Sequence, residues 1–66
     1  MDLPIRGEIY KSRRSGQPFK VACVSEFTVF MDGMSGERPD GRIYNTDAHR
    51  YCRIRQLDLF YEKVLS

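Results

Sequence analysis

Pro18-Phe19-Lys20-Val21-Ala22-Cys23-Val24, then Ser25-Glu26, then Phe27-Thr28-Val29-Phe30-Met31, holds the densest run of β-formers in the chain. In the first segment Phe19, Val21 and Cys23 alternate with Lys20, Ala22 and Val24, which is the period of an extended strand. Branched and aromatic side chains suit a pleated, half-buried surface. Pro18 can open a strand but cannot sit inside a central one, so the strand starts there. Ser25-Glu26 reads as a tight connection. The second segment is apolar on both faces. One face therefore covers the core, and the other is left for a loop or a partner.

On the N-terminal side, Gly7-Glu8-Ile9-Tyr10-Lys11 reads as a strand spanning about 6–12. It runs into Ser12-Arg13-Arg14-Ser15-Gly16, where the glycine supplies the positive φ of a turn. On the C-terminal side, residues 32–41 carry three of the five glycines, and Pro39-Asp40-Gly41 is a turn sequence. A loop of that length in so small a domain is expected to be mobile or functional. Arg42-Ile43-Tyr44 reads as a short strand, and 45–49 as a turn. In Arg50-Tyr51-Cys52-Arg53-Ile54-Arg55 alternation returns, with Tyr51, Arg53 and Arg55 on one face and Cys52 and Ile54 on the other. Leu57–Phe60 predicts one helical turn followed by an extended 61–65. A single two-turn helix is the alternative, because Leu57, Phe60, Tyr61 and Val64 also fit helical spacing.

These pieces predict one all-β domain over 1–66: a small barrel or bent antiparallel sheet of about five strands, with one helical turn near the C-terminus. The expected core is Ile9, Phe19, Val21, Cys23, Val29, Ile43, Cys52, Ile54, Leu57, Phe60 and Val64. With 66 residues the stability margin is thin, since so short a chain buries only about 60% of its unfolded surface. The order of elements resembles small SH3-like barrels, and more narrowly short bacterial and phage proteins of unknown function built on that plan. Gly7-Glu8-Ile9-Tyr10, Gly16, Phe19-Lys20-Val21 and the closing Leu57-Asp58-Leu59-Phe60-Tyr61-Glu62-Lys63-Val64 carry the resemblance. It implies a fold and transfers no site. Residues 32–48 depart from the shortest such proteins.

Several chemistries find little support. No stretch approaches the roughly 18 apolar residues of a membrane span, and Met1 to Arg6 lacks a secretory pattern. The expected compartment is the cytoplasm, where Cys23 and Cys52 are reduced thiols. Asp47, His49, Cys52 and Cys23 are weak metal-ligand candidates beside a Cys-x-x-Cys knuckle. Cys52 with His49 is the one arrangement that suggests a nucleophile. Gly33-Met34-Ser35-Gly36 lacks the lysine and hydroxyl of a phosphate loop. A non-enzymatic module without metal or cofactor is the expectation.

Two binding readings remain. The first is a protein-binding regulator or inhibitor, with Phe30, Met31 and Met34 as anchors and Arg38 on the rim. It could be a homodimer, or a phage accessory protein acting on a host protein; the phage part is implied by the resemblance alone. The second is single-stranded nucleic acid held by Tyr44, Tyr51, Arg53 and Arg55, extended by Arg13 and Arg14. Aromatic rings stack unpaired bases, and arginines meet phosphates. The net charge of +2 is small, but the cations fall in two blocks, residues 1–20 and 42–56, with an acidic block between them. Whether the two basic blocks meet depends on the fold.

Overall fold

The computed structural model describes residues 3–64; Met1, Asp2 and the Leu65 end of the expected final strand lie outside the described residues. Five antiparallel strands form one sheet, curled into a half-barrel. They are β1 (Ile9–Ser12), β2 (Pro18–Val24), β3 (Thr28–Gly33), β4 (His49–Arg53) and β5 (Tyr61–Lys63). Between β4 and β5 come a 3-10 turn, Ile54–Gln56, and one turn of helix α1, Leu57–Phe60. The spatial order β4-β3-β2-β1-β5 leaves β4 and β5 as the two edges.

The first hairpin closes as its sequence directs. Gly16 takes φ +79°, and Ser12 and Gln17 bond across the turn at 2.9 Å. Ser25 and Thr28 close the second connection, the Thr28 amide donating to Ser25 Oγ at 3.2 Å. The core is Tyr10, Phe19, Val21, Val29, Met31, Ala48, Leu57 and Tyr61, with Cys52 and Ile54 packed against it. The Phe19 and Tyr61 rings meet edge to face, 5.8 Å apart. This geometry suits their quadrupoles and draws β5 over the hollow of the sheet.

Five expected core residues are not core. Cys23 is exposed because β2 bulges: Val21 pairs with Met31, but Cys23 pairs with Phe30. Two residues of β2 there span one step of β3, so the in–out phase reverses after Val21. Ile43 is 76% exposed because 42–44 is no strand; it makes a single bridge to Glu37 in a projecting hairpin. Phe60 is exposed because the chain turns extended at Tyr61, which takes the buried place instead. Val64 lies beyond the end of β5 and is exposed. Ile9 is half-buried and outside the core because it pairs with Lys20, while Tyr10, opposite Phe19, takes the inward place.

The expected loop 32–41 begins later than the sequence suggests, because β3 continues through Asp32 and Gly33. The Met34 amide then donates to the Pro18 carbonyl at 2.9 Å, and the Tyr44 amide to the Gly36 carbonyl at 3.0 Å. Buried Gln17 fastens the returning chain, its Nε2 donating to the Asn45 carbonyl at 2.8 Å. Among the described residues no helix is long and apolar enough to cross a membrane.

Candidate functional site

The curled sheet does not close on itself. Between the β4 edge and the β5–α1 side runs an open groove of about 870 Å³. One wall comes from the tip of the first hairpin, Ser12 to Ser15, and the other from Arg50 to Arg53 on β4; Leu59, Phe60 and Tyr61 line the end. Arg13, Arg14, Arg50 and Arg53 all contribute to this surface, and no aspartate or glutamate does. Among the described residues none of the four makes an ion pair. Four cations uncompensated in one concavity focus a positive potential that a near-neutral total charge conceals.

Local bonds set these positions. The Arg13 amide donates to the Phe60 carbonyl at 2.9 Å, and its guanidinium Nε to the Asp58 carbonyl at 3.0 Å. The hairpin tip is thereby pinned to α1. The Ile54 amide donates to the Phe27 carbonyl at 2.9 Å, fixing where β4 ends. Arg50 pairs across the ladder with Met31, and Cys52 with Val29, so both lie on the inner face of the edge strand. Burial pushes the Tyr61 phenol above its ordinary value, the neighbouring Cys52 adds to this, and nearby Arg50 draws it back. Burial also pushes the Cys52 thiol up, which keeps it protonated and slow as a nucleophile.

On the outer face, Cys23, Phe30 and Tyr51 form one cross-strand row. Phe30 is 41% exposed and Tyr51 74%. Their rings lie 6.1 Å apart at 36°. Tyr51 also lines the groove, so this aromatic row adjoins the arginines across the β4 edge.

The structure divides both expected sets. Met31 is 1% exposed and belongs to the core, so it offers no contact surface. Met34 is half-buried, and Arg38 sits on the projecting hairpin, 3.8 Å from Asp40, away from Phe30's row. Phe30, Met31, Met34 and Arg38 thus do not form one surface. Of the second set, Tyr51 and Arg53 come together. Tyr44 does not line the groove, though its hydroxyl donates to the carbonyl of the wall residue Ser15 at 3.0 Å. Arg55 also departs from the groove, because alternation stops where the 3-10 turn begins at Ile54; it lines a neighbouring hollow with Leu3, Glu26 and Phe27, to which Arg53 contributes as well. Arg50 and Phe60 join the groove instead, neither anticipated. An arginine at an inward parity beside Cys52 was the available signal for Arg50.

Cys52 and His49 do not meet. Cys52 faces inward opposite Val29, while His49 lies in the outer row, its Nδ1 2.7 Å from Asp32 Oδ1. Cys23 and Cys52 are free thiols on strands separated by β3 and on opposite faces. Among the described residues no three His, Cys, Asp or Glu side chains gather to hold a metal. Comparison of the chain with protein-family models, curated proteins and solved structures finds no match.

Proposed function

We propose that the protein is a non-enzymatic binding module that holds single-stranded nucleic acid in the groove between β4 and the β5–α1 side. The observation that carries this reading is the convergence of Arg13, Arg14, Arg50 and Arg53 on one concavity lined by no carboxylate side chain. An extended polyanion is the natural complement of such a trough. Exposed aromatic rings at its border favour unpaired bases over a simple acidic chain, since every base offers a face for stacking. The groove lies between sheet edges and is bordered by one turn of helix, and among the described residues no long helix is present to enter a duplex major groove.

Fluorescence anisotropy tests this with a labelled single-stranded oligonucleotide, the matching duplex, and polyglutamate of equal charge. The single strand binds most tightly, and Arg50→Gln with Arg53→Gln weakens it. Polyglutamate binding as tightly as the single strand would shift the reading to an acidic protein partner. A stronger response from the duplex would remove the role of unpaired bases.

A further inference from the structure

We infer that Phe30 and Tyr51 form the base-stacking platform for a strand whose phosphates lie in the arginine groove, so that the strand crosses the open edge of β4. This inference rests on the groove reading and adds to it the surface that receives the bases.

Phe30 and Tyr51 are directly opposed on β3 and β4, so their side chains leave the same face of the sheet. That face is the outer one, because the alternate pairs, Val29 with Cys52 and Met31 with Arg50, belong to the inner row. Two large exposed rings on a small domain are costly to leave in water. The bulge in β2 lengthens this row by turning Cys23 outward beside Phe30. Polar rows flank it: Lys20, Asp32 and His49 on one side, Thr28 and Arg53 on the other. The apolar strip is therefore narrow and bounded.

Charge argues for the occupant. Tyr51 and Arg53 belong both to this outer face and to the groove lining. A ligand reaching from groove to platform must present negative charge on one side and flat apolar faces on the other. A nucleotide strand has that division, with phosphates on one side of the sugar and bases on the other. β4 is a sheet edge, so no further strand stands between the two surfaces.

The test uses the full chain with two oligomers of equal length, oligo-thymidine and an abasic strand of the same phosphate count. The expected result is that oligo-thymidine binds roughly 5- to 150-fold more tightly than the abasic strand, the span that base–aromatic stacking commonly supplies. Phe30→Ala, outside the groove lining, reduces that preference while leaving abasic binding in place; Tyr51→Ala reduces the preference too, and Tyr51→Phe retains it. Cys23 gives an independent readout in the unaltered protein. Its exposed thiol is opposite Phe30, so saturating oligo-thymidine slows its alkylation, whereas Cys52 reacts slowly throughout. Equal affinity for the two strands, or Cys23 alkylation unaffected by saturating oligo-thymidine, overturns the platform and leaves the groove reading standing. Failure to bind either strand overturns both.

Discussion

Replacing Arg14 and Arg53 together by glutamine halves the cation count of the groove without touching its floor. Both side chains are exposed and neither takes part in an ion pair among the described residues, so the fold should survive. The expected effect follows from counterion release. A protein neutralising Z phosphates of a single strand loses affinity with salt at a log–log slope of about −0.7Z. With four arginines the slope is about −2.8, so raising salt from about 50 to 200 mM weakens binding about 50-fold. With two left, the slope is about −1.4 and the same change costs about sevenfold. Anisotropy titrations of a short oligo-thymidine at four or five salt concentrations measure both slopes. An unchanged slope in the double variant would refute the claim that these two arginines meet phosphates. A wild-type slope near zero would refute electrostatic binding in this groove altogether.

Met31→Ala should act on folding rather than on recognition. The side chain is buried beside Val21 and Val29, and the truncation is expected to cost about 2–5 kcal/mol, a large share of the roughly 3–10 kcal/mol available to a domain of this size. Urea denaturation reads it, and an unchanged midpoint would contradict the core assignment. Gly33→Ala should also destabilise, by about 1–3 kcal/mol, because an added Cβ would lie 2.7 Å from Gln17 Nε2 and 3.0 Å from the Asn45 carbonyl oxygen. A thermal melt unaffected by that change would mean that the Gln17 contact does not fasten the 34–48 segment. Glu8 accepts from Lys63 Nζ and from the Ile5 amide, each at 2.6 Å, and these bonds hold its carboxyl below the ordinary range. A depressed carboxylate contributes stability above its unfolded value and loses it as pH falls through the folded one. Stability should therefore decline through and below the ordinary carboxylate range, and Glu8→Gln should flatten that decline in pH-dependent urea melts.

The sequence speaks most clearly where one local rule acts alone. Pro18 opens β2, Gly16 turns the first hairpin, and Leu57–Phe60 forms one helical turn before the chain extends at Tyr61. It speaks less clearly where a nonlocal contact decides. The bulge after Val21 reverses the phase of β2 and carries Cys23 outward, although the residues alternate without a break. Met31 and Tyr61 are core because the curl of the sheet encloses them, while Ile43 projects because its segment bonds mainly to itself. Arginines at 13–14 and at 50 and 53 meet across the groove only because β1 and β4 lie on opposite sides of a curled sheet. The tyrosine–arginine alternation identified Tyr51 and Arg53. It carried Arg55 along with them, because the start of a 3-10 turn at Ile54 leaves no mark in the pattern.

Amide chemical-shift mapping by NMR is the most direct probe. Titrating the labelled protein with oligo-thymidine should move the resonances of residues 12–15 and 50–53 first and furthest, two segments distant in the chain that share one trough. Shifts centred on the 36–44 hairpin instead, or none at saturating strand, would contradict the assignment of the groove as the binding surface.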